Sequence, residues 1–157
     1  MSEPMNSFVC VDASLIVWSL LPSPFSAAAE AMLRQWQQDQ TTLIAPSLFA
    51  FEVTASLRRL VYLKEITPVE GEAAFARFLR LRVRLSQRQG IFPLAWQLAK
   101  QFNRPRAYDT AYLALAQLNN CEFWTADEKL YNAVRHQLSW VKWIGTYPRA
   151  TNAKETH

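Results

Sequence analysis

Four carboxylates of this 157-residue chain stand where the residue pattern changes from one element type to another. Asp12 closes FVCVD, a short run of β-formers, and Asp127 follows the similar run CEFWT. Asp109 falls in the first turn of AYDTAYLALAQL, and Glu52 within the first two turns of SLFAFEVTASLRRLVYLKEI. A helix that is apolar on most faces is buried, so an acid in its first turn faces inward. Carboxylates a few ångströms apart raise one another's pKa and lose hydration, a cost that a cation between them removes. The only histidines are His136 and His157. A zinc site or a histidine general base therefore has little to work with, and an oxygen-only ligand set completed by water suits Mg²⁺ or Mn²⁺. Such a metal beside a basic surface suits phosphodiester cleavage: it acidifies water, orients it in line and neutralises the non-bridging oxygens. Taken singly, each acid also reads as a helix cap or a dipole partner, and Asp127 can serve as cap and ligand together.

The elements that must position these acids alternate. FVCVD feeds a helix over ASLIVWSLL, SPFSAAAEAMLRQWQQD is helical from a cap at Ser23 or Ser26, and TTLIAP is a second buried strand. Ser47 can cap the next helix, which stops near Lys64, and Thr67 with Pro68 and Glu70 opens another. The stretch from Val83 to Pro93 has room for a short strand, LAWQLAKQF is helical, and Asn103 to Pro105 is a break. DEKLYNAV is a short helix and WVKWI, residues 140 to 144, a last strand. Strands alternating with helices, and apolar on both faces, predict a parallel sheet covered on two sides with right-handed crossovers. Ligands bind such sheets beyond the carboxyl ends of the strands, where all four acids fall.

The composition supports one domain over residues 1–150 with a polar tail at 151–157: half the residues are hydrophobic, 19% are charged and only three are glycine. Cys10 and Cys121 read as core thiols rather than a disulfide. The N-terminus MSEPMNS lacks the features of a secretory signal and no stretch is long enough to span a membrane, so a cytoplasmic protein is expected. Seventeen basic against thirteen acidic residues give +4. With the four acids taken as buried, nine acidic residues against seventeen basic leave +8, a rim that would steer a polyanion. Arg104 and Arg106 lie a few residues before Asp109, at the expected rim, where they could hold phosphates. Arg77, Arg80, Arg82, Arg84 and Arg88 read as a solvated face, and the tryptophans Trp18, Trp36, Trp96, Trp124, Trp140 and Trp143 as core or dimer packing.

VDAS at 11–14, APSLFAFEV at 45–53, RPRAYDTAYLALA at 104–116 and FWTADEKLYNAV at 123–134 resemble the four blocks of PIN-domain proteins, in particular the VapC-type toxins of toxin-antitoxin pairs. The resemblance spans about residues 8 to 147. It implies a doubly wound, three-layer α/β/α fold with a mostly parallel sheet of four to five strands. It also implies Mg²⁺- or Mn²⁺-dependent endoribonuclease activity leaving 5′-phosphate and 3′-hydroxyl ends, a cognate antitoxin and a homodimer. By position, Asp12, Glu52, Asp109 and Asp127 become the acidic quartet, with Asp12 and Asp109 as the most direct metal ligands. Glu52 and Asp127 bind directly or through water, and Ser14 and Thr125 are hydroxyl donors to the carboxylates. Ala55 stands where many VapC sequences carry asparagine. The apolar helices between residues 48 and 85 form the expected surface for the dimer or antitoxin. Two alternatives stand beside this: a non-catalytic RNA-binding or scaffolding PIN domain, and a phosphoacceptor receiver domain, which needs paired acids near its first strand and a lysine just after its last one, whereas here Asp12 stands alone and Lys142 lies within WVKWI.

Overall fold

A computed structural model of the chain describes residues 7–147; the expected tail at 151–157 and the boundary at residue 150 lie outside them. The elements run β1 (Phe8–Val11), α1 (Ala13–Leu20), α2 (Ser26–Gln38), β2 (Thr42–Pro46), α3 (Leu48–Tyr62), α4 (Pro68–Arg80) and β3 (Arg84–Ser86). They continue with α5 (Ile91–Gln101), α6 (Tyr108–Leu118), β4 (Glu122–Thr125), α7 (Glu128–Val134) and β5 (Val141–Trp143). The five strands form one parallel sheet in the order β3-β2-β1-β4-β5. The short strand expected between residues 83 and 93 is β3, at an edge.

This order dictates the layers. Going from β1 to β2 to β3 the chain steps one way across the sheet, and from β3 to β4 to β5 it steps back. Right-handed crossovers then put α1 to α4 on one face and α5 to α7 on the other. The packing agrees: α1 gathers α2, α3 and α4 around it, whereas α6 lies across β1, β2 and β4 with α5 against it. The central strand β1 buries Val9, Cys10 and Val11, pairing Val9 with Leu43 and Glu122, and Cys10 with Ile44 and Phe123. Every residue of α6 from Thr110 to Ala116 is buried, as a helix apolar all round requires. Within that run the Thr110 hydroxyl donates to the Ala95 carbonyl at 2.9 Å. Large core side chains such as Phe49, Phe123 and Leu113 each contribute about 1.5–3 kcal/mol by leaving water.

The helix ends show how a chain with three glycines closes its turns. Four helices finish on a non-glycine residue with positive φ: Gln40 (57°), Lys64 (59°), Asn103 (50°) and Asn120 (48°). The next residue then donates back to the helix, Thr41 to Trp36 (2.8 Å), Glu65 to Leu60 (2.9 Å), Arg104 to Ala99 (2.8 Å) and Cys121 to Ala116 (3.1 Å). This is the Schellman closure, which satisfies carbonyls that the last turn leaves open. At the start of α4, Thr67 and Glu70 form the expected capping box.

Three sequence expectations need correction. Ser47 sits at the N-cap of α3, but its hydroxyl makes no cap bond and donates to the Ser86 carbonyl at 3.3 Å, because β3 lies beside the end of β2. The N-cap of α2 is Phe25, and Ser26, already inside the helix, donates to the Ser23 carbonyl. Of core or dimer packing, the core half fails for Trp96, which is 64% exposed, since α5 turns Ile91, Ala95 and Leu98 inward and leaves the tryptophan on the outer face. Trp36 and Trp124 do pack edge to face, with ring centroids 6.3 Å apart. Cys10 and Cys121 are both free thiols, as expected.

Candidate active site

Neighbours on either side of β1 reach it from opposite directions along the chain, so the crevice beyond the ends of β1 and β4 is the point where the winding reverses. Asp12 follows β1 there and Thr125 ends β4. The Asp12 amide donates to the Trp124 carbonyl at 3.0 Å, carrying the β1–β4 ladder one residue further. Its carboxylate caps α1 by accepting the Ser14 amide on Oδ1 (3.4 Å), and it accepts the Thr125 hydroxyl on Oδ2 at 2.7 Å. Thr125 Oγ1 in turn accepts the Asp127 amide (2.9 Å), and Ser14 Oγ accepts the Ala126 amide (3.1 Å). Ser14 Oγ and Thr125 Oγ1 are 3.4 Å apart. Thr125 has one proton and spends it on Asp12, so Ser14 is the donor between the two hydroxyls. All the protons in this chain point toward Asp12.

Asp12 is 9% exposed. Burial pushes its pKa up to about 6, against the pull of the Thr125 and Ser14 hydrogen bonds, and the charge of Asp109 pushes the same way as burial. Glu52, half-buried in the second turn of α3, is also raised: burial leads, the bond from Tyr112 opposes it, and the charges of Asp12 and Asp109 add to it. The Tyr112 hydroxyl donates to Glu52 Oε1 at 2.6 Å. Burial first, then the charge of Asp12, hold this phenol far above its usual pKa, so it acts only as a proton donor. Tyr112 is a site residue that the sequence reading missed. The available signal was its spacing, three residues after Asp109 and therefore on the same face of α6.

Asp109, in the first turn of α6, is half-exposed and accepts Arg104 Nη2 on Oδ2 at 3.1 Å. Arg106 is exposed and makes no ion pair among the described residues. Asp127 caps α7 by accepting the Leu130 amide on Oδ1 at 3.1 Å, as its position after Thr125 suggested.

Asp12, Glu52 and Asp109 are thus brought into one electrostatic neighbourhood, and Asp127 is tied to it only by its backbone amide, through the Thr125 hydroxyl, while its carboxylate caps α7. They do not form a closed cage: among the described residues no three Asp, Glu, His or Cys side chains stand close enough to hold an ion between them. Only Asp12 of the four acids is fully buried, so the expectation of four buried acids does not hold. Three begin helices or lie in their early turns, where the crevice remains open. The donor set nevertheless fits a hydrated divalent cation. It is all oxygen, its buried member touches no basic side chain, and Mg²⁺ keeps several waters while binding one or two carboxylates.

The sheet order also removes the receiver-domain alternative, whose flavodoxin-like sheet runs 2-1-3-4-5. Lys142 lies inside β5 and pairs with Glu122 at 3.9 Å. A three-layer parallel fold with an acid at the reversal point is the architecture of the PIN domain, and the family model for that domain matches residues 9–135; the chain belongs to this family. Over 109 residues it is 33% identical to VapC ribonuclease Mb0985 of Mycobacterium bovis and to Ribonuclease VapC9 of Mycobacterium tuberculosis. Each match covers 67% of this chain and 84% of the relative.

Proposed function

We propose that the protein is a VapC-like ribonuclease that hydrolyses RNA with Mg²⁺ or Mn²⁺, acting as the toxin of a toxin-antitoxin pair. The observation that carries the reading is the buried, ionisable Asp12 at the reversal point of the sheet, oriented by Thr125 and facing no basic partner of its own. Asp12 and Asp109 are the residues that would hold the cation most directly, with Glu52 and Asp127 contributing directly or through water. A cation so bound would supply positive charge to the phosphate and acidify the attacking water. Thr125 and Ser14 keep the Asp12 carboxylate aimed, and Tyr112 does the same for Glu52. Arg106, exposed two residues before the start of α6, would hold a phosphate of the RNA backbone. The products are 5′-phosphate and 3′-hydroxyl ends, and the compartment is the cytoplasm; among the described residues no helix is long and apolar enough to cross a membrane. Exposed apolar residues of α3 and α4, Phe51, Val69 and Leu79, support these helices as the docking face for a second copy or an antitoxin.

The test is cleavage of RNA by the purified chain with Mn²⁺ or Mg²⁺, with EDTA, and with Asp12→Asn. Cleavage that requires the metal and is lost in the variant is the expected result. Cleavage that survives both sinks the reading. The non-catalytic alternative draws on the open ligand set, and it is separated by a Mn²⁺ titration: a scaffold shows no saturable site that Asp12→Asn removes.

A further inference from the structure

We propose that Arg104 is the resident counter-ion of the acid cluster and competes with the divalent cation for Asp109, so that its guanidinium sets the protein's metal affinity. This rests on the metal reading above.

The geometry begins with the end of α5. Asn103 takes the left-handed conformation, and the Arg104 amide closes the helix on Ala99 at 2.8 Å. Pro105 then fixes the next φ, so the Arg104 backbone is clamped between two helices that pack on one another. From this fixed point the side chain reaches the first turn of α6 and meets Asp109 Oδ2 at 3.1 Å. It is no loose surface arginine: the side chain is 25% exposed, and its Nε is buried without a hydrogen-bond partner. The other two ion pairs among the described residues, Arg77–Glu30 at 3.6 Å and Lys142–Glu122 at 3.9 Å, are longer and more exposed, and neither involves an acid of the site.

Asp12, Glu52 and Asp109 repel one another, and Arg104 is the basic group in contact with that set. A cation binding Asp109 would meet a guanidinium already on the same carboxylate, and two positive groups there repel at short range. Each ligand therefore weakens the other by the same factor. A guanidinium has five N–H donors, of which this one uses a single one on Asp109. Once displaced it has a buried Nε–H and its Nη donors free to form the two-pronged bond to a phosphate that arginine favours.

The experiment is Mn²⁺ titration by calorimetry of the full chain and of Arg104→Gln, with thermal unfolding in EDTA and in Mn²⁺. The variant is expected to bind Mn²⁺ about three- to tenfold more tightly, since a part-exposed pair is a modest competitor. In EDTA its Tm should fall, and its Tm gain on adding Mn²⁺ should exceed that of the wild type. Arg106→Gln, which removes the same charge two residues away, should leave Mn²⁺ affinity near the wild-type value. Unchanged or weaker Mn²⁺ binding by Arg104→Gln overturns the proposal, as does a Tm loss equal in EDTA and in Mn²⁺. If Arg104→Gln does not fold, Arg104→Met carries the same test, because it keeps an apolar stem of similar length in the part-buried position and removes the charge; its Mn²⁺ affinity should exceed wild type. Wild-type protein with no saturable Mn²⁺ site would bring down the metal reading itself, whereas intact wild-type binding with an unaltered variant removes only the role of Arg104.

Discussion

The two halves of the site are built differently. On the strand side, Asp12 and Thr125 stand at the ends of adjacent strands, one just past β1 and one closing β4, are buried, and are fixed by a run of hydrogen bonds in which every proton has a defined direction. On the helix side, Glu52 and Asp109 sit in early turns, remain half-exposed, and are each held by one side chain, Tyr112 or Arg104. The strand side is rigid and carries an electrostatic cost, while the helix side keeps freedom to adjust. A carboxylate locked at the reversal point can anchor a cation, and ligands on helix starts can close around it.

Asp12→Asn separates cost from use most sharply. It should reduce cleavage to background, because it removes the anchoring charge at nearly constant volume. In the metal-free protein at pH 7.5 it should raise stability by about 1–3 kcal/mol, since a carboxyl raised from 3.8 to about 6 costs roughly 3 kcal/mol when ionised. The sign follows from the direction of the shift: the folded state holds the Asp12 proton more tightly, so this contribution is full below pH 3.8 and is lost as pH rises through 6. Denaturation curves of wild type and variant in EDTA should therefore converge near pH 4 and separate toward pH 7.5. Parallel curves would show that Asp12 carries no such cost.

Thr125→Val is expected to come next. It leaves Asp12 without its shortest donor and the Asp127 amide without an acceptor, costing about 1–3 kcal/mol and weakening Mn²⁺ binding by about 10–100-fold. Tyr112→Phe should be milder, about tenfold or less in Mn²⁺ affinity with about 1 kcal/mol of stability, because the helix side is held less firmly. A larger loss for Tyr112→Phe than for Thr125→Val, measured by the same titration, would reverse the contrast between the halves. The smallest change expected is Lys64→Gly at the end of α3. Removing a side chain from a left-handed residue should add about 0.5–1 kcal/mol in urea unfolding and leave cleavage unaltered.

The strand side was the more legible half. Runs such as FVCVD and CEFWTAD announce buried strands ending in acids, and Asp12 and Asp127 fall where that pattern puts them. The capping box at Thr67 and Glu70 was equally plain, because all its partners lie within four residues. What stayed hidden depends on partners remote in sequence. Nothing local to Ser47 says that its hydroxyl goes to Ser86, and nothing local to Glu52 names Tyr112, 60 residues on. Arg104 was legible as a charge near Asp109 but not as its ion-pair partner, since five residues of separation across a helix break fixes no geometry until the break is folded. The burial of the acids was misjudged for a related reason. Periodicity tells which face of a helix turns inward, but not how far its first turns protrude beyond the sheet.

The bond between Thr125 and Asp12 joins residues 113 positions apart. During synthesis, a chain that has emerged only as far as Asn120 possesses β1 and its neighbour β2 but lacks β4 altogether. A product stopped there should show no RNA cleavage even with Mn²⁺ present. The ribosome making this protein would thus face an inert polypeptide until β4 has emerged.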